Sequence, residues 1–250
     1  MRRYPPSTRS SLSFGPGPVS TAIKALIVSN VVIFFAQVLY RPLTDAFGLE
    51  PFRVVRELQV WRLATYMFLH DPSGLIHILF NMLALWMFGT ELERTWGTKY
   101  FLKFYFVTGI GAGLLTVAVS LLPFEFARQI YPANVIGASG AIYGLLLAYG
   151  LYFPDRPIYI WFLFPVPAKI FVLIMGLIAF YSSLAGSGGG VANATHLGGL
   201  LVGYIYLKGR RIDPLAELKY RYLKWKINRV RKKFDVYSGG RADDWDRRVH

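Results

Sequence analysis

The sequence predicts an all-α membrane protein, a bundle of six transmembrane helices, on three observations. Apolar residues come in long runs nearly free of charge, not in the short periodic sets of a soluble core; the 250-residue chain is 54% hydrophobic and 16% aromatic, with a mean hydropathy of +0.38. Six of these runs reach or approach the roughly 20 residues that a helix needs to cross the hydrocarbon core. The net charge of +14 sits at the chain ends, above all beyond Lys208, while the middle is nearly neutral. That asymmetry fits basic ends held at an anionic leaflet better than a nucleic-acid binder. With no cysteines, a disulfide framework, a thiolate metal site and a Cys nucleophile are all excluded.

Residues 1–20 are a Pro- and Ser-rich lead, expected as a flexible cytoplasmic N-terminus. The first apolar run lacks a small-residue cleavage site, so it reads as a retained helix and not a signal peptide. Spans are expected at about 21–40, 74–93, 99–122, 134–153, 168–185 and 192–208, making 21–208 one six-helix domain. Between the first two, 41–73 carries Pro51-Phe52-Arg53-Val54-Val55-Arg56 and Trp61-Arg62, a mixture suited to a segment lying in the interface. Pro154, Pro157, Pro165 and Pro167 break the chain between spans four and five. Residues 209–250 form a basic cytoplasmic tail, in which Lys219 to Phe234 reads as an amphipathic helix on the inner leaflet.

Basic residues near span ends set the orientation. Arg2, Arg3, Arg9 and Lys24, then Arg94, Lys99 and Lys103, then Arg156 and Lys169, then the tail, all fall on one side if six helices alternate. Both termini are therefore expected in the cytoplasm. Spans two, four and six then begin at the outer face, and near those beginnings stand His77 and Asn81, Ser139, and His196. Polar groups in a bilayer are costly and usually face a cavity or one another. Their shared depth on three helices argues for a site.

Ser139 lies in Gly137-Ala138-Ser139-Gly140, and a helix is expected to start there. The unpaired N–H groups of a helix start can face a developing oxyanion. Taken alone, the plainer reading is a small-residue helix contact, since Gly140 and Gly144 form a G-x-x-x-G pair. His196 is followed by Gly199 and Gly203 on its own helix face, so close approach of two glycine faces would bring it to Ser139. Serine is a poor nucleophile without a base, and histidine suits that role; alone, it reads as a structural histidine. No Asp or Glu falls deep inside a span, so a dyad is expected. Tyr143, one turn after Ser139, either packs beside the imidazole or is an ordinary core aromatic. His77 and Asn81, four apart on one face, either donate to an oxyanion or act as interhelical glue. His77 is not part of H-E-x-x-H, no span holds an Asp, and Ala141 departs from the soluble G-x-S-x-G elbow. No metal or cofactor is expected.

These residues resemble the rhomboid family of intramembrane serine proteases. The resemblance runs from about residue 20 to 208. Its motifs are Trp61-Arg62, His77-Ile-Leu-Phe-Asn81, Glu91-Leu92-Glu93-Arg94 (similar to the family's E-x-R region), Gly137-Ala138-Ser139-Gly140, and His196-x-x-Gly199-x-x-x-Gly203. It departs at E-x-R, where Thr95 stands in the Arg position if Glu93 is the Glu. The resemblance implies a six-helix rhomboid-like bundle with Ser139 as nucleophile and His196 as general base. His77, Asn81 and the backbone at Ala138 and Ser139 would form the oxyanion hole. Its substrates would be transmembrane helices of other proteins, cut near their outer ends, with span five and the loop before span six as a lateral gate. Two other classes remain open: a catalytically silent rhomboid-like protein that escorts transmembrane clients, and a transporter or channel, for which no inverted repeat is visible. A bacterial inner membrane is the expected location.

Overall fold

Helix boundaries fall where the sequence supplies caps, prolines and glycines. The computed structural model describes residues 17–160, 163–184, 190–209, 224–227 and 229. Helix α1 (Thr21–Leu39) is capped by Ser20, whose hydroxyl accepts from the Ile23 N–H at 3.2 Å. Proline opens α2 (Pro42–Phe47) and α3 (Pro51–Arg56), at a position where its missing N–H costs nothing. Then come α4 (Arg62–Thr65) and a 3-10 turn, Tyr66–Phe68. A continuous helix follows: α5 (Leu75–Ala84), a π-helical turn (Leu85–Gly89) and α6 (Thr90–Trp96). Gly97, at φ +80°, separates it from α7 (Thr98–Ser120). The chain continues through α8 (Glu125–Ile130) and α9 (Ser139–Tyr152) to an antiparallel hairpin, β1 (Pro157–Ile160) and β2 (Phe164–Pro167), with Pro157 opposite Pro167. Helices α10 (Ala168–Leu184) and α11 (Gly190–Gly209) follow.

Helix α9 is the core of the bundle. Its Ala141, Ile142, Leu145, Leu146, Ala148 and Tyr149 are all buried, as expected of a helix apolar all round. The outer helices instead expose apolar side chains, such as Val32 and Phe35 on α1 and Leu173 and Leu177 on α10. Among the described residues, three helices are long and apolar enough to cross a membrane, Thr21–Leu39, Leu75–Trp96 and Thr98–Ser120, while Ser139–Tyr152 and Ala168–Ser183 are apolar but shorter.

The predicted fourth span, 134–153, starts later than expected. Val135 is extended and bridged to Leu49, and Gly137 sits at φ +125°, so helix begins only at Ser139. At 1.5 Å per residue the remaining helix covers about 21 Å, short of the roughly 30 Å hydrocarbon core.

The 41–73 connection, expected from the sequence to lie in the interface, is tied into the fold by its own hydrogen bonds. Arg62, 2% exposed, donates to the carbonyls of Gly48 (2.5 Å) and Asp45 (2.7 Å) and to Gln59 Oε1 (2.6 Å). This pinned loop then holds the strand leading into Ser139. Leu49 and Val135 exchange backbone hydrogen bonds of 2.9 and 2.8 Å, and the Gly137 N–H donates to the Tyr66 carbonyl at 2.9 Å.

At the opposite end of the helices, Glu93, 6% exposed, accepts from Ser20 Oγ and from Thr98 Oγ1 (2.6 Å). It thereby joins the starts of α1 and α7 to the end of α6. The Thr95 hydroxyl donates to the Glu91 carbonyl instead (2.8 Å), and the Glu91 carboxylate pairs with Arg156 at 2.9 Å.

The chain divides into two compact units, Met1–Leu207 and Lys208–His250. In the second, Lys224–Ile227 is helical and the Arg229 guanidinium lies 5.3 Å from the Trp225 ring centroid. The rest of the amphipathic helix expected over Lys219 to Phe234 lies outside the described residues. So do most of the 1–20 lead and the loop at 185–189 expected to take part in a gate.

Candidate active site

Ser139 is the first residue of α9, and the residue two before it must be glycine for two reasons. At φ +125° a side chain would be strained, and a Cβ on Gly137 would lie 2.9 Å from His77 Nε2 and 3.5 Å from Ser139 Oγ. The imidazole of His77 therefore lies directly against the peptide that leads into the serine. Ala138, the fully buried N-cap residue, already accepts from the Ile142 N–H, so the N–H groups of α9's first turn lack intrahelical partners.

On the other flank, α11 meets α9 backbone to backbone. A Cβ on Gly199 would overlap the Gly140 carbonyl oxygen, and one on Gly203 would come within 3.2 Å of Gly144 Cα. This closeness is what brings His196 Nε2 to 2.8 Å from Ser139 Oγ. The Tyr143 ring stacks on the imidazole with centroids 4.2 Å apart and planes inclined by 5°. Below it, the hydroxyls of Thr195 and Thr116 are bonded at 2.8 Å, tying α11 to α7.

Two neighbours of the site escape sequence reasoning. Asn193 Oδ1 lies 3.2 Å from His196 Nδ1; its position three residues earlier on the same helical face is the available signal. His70, fully buried, packs against His77 with centroids 5.0 Å apart. Burial, helped by the nearby His77, pushes the His70 pKa down to about 3. Nothing in its spacing announces it, because it stands in a loop.

His77 Nδ1 accepts from the Asp71 N–H at 3.4 Å, which leaves Nε2 to carry the proton and donate. Asp71 is itself held in a tight turn, its carboxylate accepting from the N–H (2.9 Å) and hydroxyl (2.7 Å) of Ser73; these bonds lower its pKa. Asn81 uses one amide hydrogen on the His77 carbonyl of its own helix (2.8 Å), leaving the other for a further acceptor. The fold thus gathers Ser139, His196, Tyr143, Gly137 and His77 around one point, with Gly140, Gly199 and Gly203 in the seam behind it. Asn81 is positioned through His77's own turn.

A family model described as the rhomboid domain matches residues 57–210, more than half of the chain and every residue of this site. The chain belongs to the rhomboid family. Its apolar helices and this membership make the rhomboid an integral membrane protein. It is similar to rhomboid protein 1, mitochondrial, of Saccharomyces cerevisiae, at 35% identity over 131 residues, covering 52% of this chain and 36% of that protein. It also matches rhomboid protease GluP of Bacillus subtilis, at 34% over 161 residues (64% and 28%). A third match is rhomboid protease AarA of Providencia stuartii, at 28% over 221 residues (81% and 76%). This rhomboid chain thus spans only about a third of the first two relatives and about three quarters of the third.

Proposed function

We propose that this rhomboid is a serine endopeptidase that cuts transmembrane segments of other membrane proteins, using Ser139 and His196. The observation that carries the reading is the 2.8 Å contact between Ser139 Oγ and His196 Nε2 across the α9–α11 seam. His196 takes the Ser139 proton as Oγ attacks the scissile carbonyl, and the oxyanion forms beside the open N–H groups of α9, His77 Nε2–H and the second Asn81 hydrogen. The imidazolium then protonates the leaving amine, and water releases the acyl group by the same steps in reverse. No cofactor or metal enters this sequence.

The membrane arrangement belongs to the same proposal: a six-span domain at 21–208 between a cytoplasmic lead and a basic cytoplasmic tail, in a bacterial inner membrane. Its support is that Ser20, Glu93 and Thr98 meet at one end of the bundle, where Glu91 also reaches Arg156. The ends carrying the basic residues are therefore neighbours, as alternating spans require. The short α9 supports a serine immersed below the outer surface, where the bond of a membrane-spanning substrate would lie.

Activity-based labelling with a fluorophosphonate tests the reading on the full chain in mild detergent. Wild type is expected to label, with Ser139→Ala and His196→Ala falling by at least about a thousandfold, to background. An unlabelled wild type that also fails to cut a model transmembrane substrate in lipid would sink the protease reading and favour a silent binder of transmembrane clients.

A further inference from the structure

We propose that Asn193 is a positioning residue for His196, so that Ser139, His196 and Asn193 form a three-membered relay without an acid. The proposal rests on the reading of His196 as the base of Ser139. To take the serine proton, Nε2 must be bare, which requires the ring proton to sit on Nδ1. Free histidine side chains favour the opposite tautomer, so something in the fold has to reverse the preference.

Asn193 has the geometry to do so. Its Oδ1 lies 3.2 Å from His196 Nδ1, three residues back on α11. An amide oxygen can only accept, so a hydrogen bond at this distance exists only when Nδ1 carries the proton. Tyr143 cannot perform this role. Its ring stacks face to face on the imidazole at 4.2 Å, which fixes the tilt of the ring but is indifferent to which nitrogen is protonated. The two neighbours therefore divide the work, Tyr143 setting orientation and Asn193 setting tautomer.

The same logic runs in mirror image on the other flank. His77 accepts at Nδ1 from the Asp71 N–H, so its proton goes to Nε2, the nitrogen facing Gly137. Two imidazoles on either side of one serine are thus held in opposite tautomers, one as acceptor and one as donor. A neutral amide suits the His196 side because a carboxylate within the bundle would be costly. A carboxylate would also stabilise the imidazolium and take the base out of its working form at neutral pH. The groups that face the His196 ring are Ser139 and Tyr143 from α9, Asn193 from its own helix and, as the titratable neighbour from α5, His77.

The test has two arms on the purified full chain in detergent. In the first, imidazole nitrogen shifts are read by NMR on ¹⁵N-histidine-labelled protein, with His196→Gln assigning the resonance. Wild type should show His196 protonated on Nδ1, and Asn193→Ala should move the ring toward the Nε2–H tautomer. Asn193→Asp should keep Nδ1–H and raise the titration by about one pH unit or more. In the second arm, fluorophosphonate labelling is followed against pH. Asn193→Ala should label about five- to tenfold more slowly at unchanged half-saturation, the loss expected of one neutral hydrogen bond. Asn193→Asp should shift the rise in rate to higher pH. If Asn193→Ala fails to fold, the shift in Asn193→Asp decides.

A wild-type His196 protonated on Nε2, or Asn193 variants that leave both tautomer and pH profile unmoved, would overturn the proposal while leaving the protease reading intact. A tautomer that follows Asn193 in a protein that never labels would uphold the positioning role and remove the protease reading.

Discussion

The two flanks of Ser139 are built in different ways. Toward α11 the contact is backbone on backbone, with no side chain between Gly140 and Gly199, and His196 reaches Ser139 as a by-product of that packing. Toward α5 the contact is a single imidazole laid against Gly137 and held from behind by a 3.4 Å bond to a turn in an exposed loop. The first flank is rigid because two helices would have to separate for it to change. The second depends on the local geometry of Asp71 and Ser73, a turn in an exposed loop, so it is the easier of the two to shift. On the proposed mechanism, a base that must stay aligned through several proton transfers suits the first construction, and a donor that tightens only around the oxyanion suits the second.

Three substitutions sharpen the contrast. If His77 donates to the oxyanion as proposed, His77→Ala should cost about 10²–10³-fold in kcat. Its thermal unfolding midpoint should stay near that of wild type; a large fall in stability would show that His77 is glue. Gly199→Ala attacks the rigid flank and should move activity and stability together. Its methyl would have to displace the Gly140 carbonyl, costing about 1–3 kcal/mol, and a misplacement of about 1 Å at the serine is worth about 10²-fold in rate. Gly203→Ala, whose Cβ would meet Gly144 Cα at 3.2 Å, should show a milder version of both effects. Equal effects at the two glycines would break the argument that the seam closes most tightly beside the serine.

The smallest expected effect concerns pH and the buried His70 behind the adjustable flank. Its folded pKa of about 3 lies below the ordinary 6.5. The unfolded chain therefore binds a proton first as pH falls. Stability from the neutral ring is fully present above about pH 6.5 and is lost progressively toward pH 3. His70→Phe should flatten that part of the stability profile, as read by unfolding between about pH 7 and 4. An unchanged profile would mean that the ring is accessible to protons in the folded state.

Much of the site is legible in the amino-acid sequence. Ser139 and His196 stand out because glycines flank both, and glycine patterns report close helix approach whatever the partner. The long apolar runs mark α1, α5–α6 and α7 to within a few residues. Less accessible are features that depend on irregular backbone. The bridge from Leu49 to Val135 and the bond from Gly137 to Tyr66 have no periodicity to betray them, so the expected start of α9 falls early and the loop reads as merely interfacial. Thr98 and Ser20 satisfy Glu93 where the motif would place an arginine. Asn193 is easily passed over because a third member of such a set is expected to be charged, although its helical face is plain.

By itself the sequence determined where the long apolar helices α1, α5–α6 and α7 form, where glycine faces lie and which residues carry unusual polarity inside apolar runs. These properties follow from composition and helical period, which are local. Only the tertiary structure decided which nitrogen of each imidazole meets which partner, and how far below its expected start α9 begins. Those depend on backbone groups tens of residues apart satisfying one another's hydrogen bonds, a requirement that buried N–H and carbonyl groups impose but that a linear pattern does not encode.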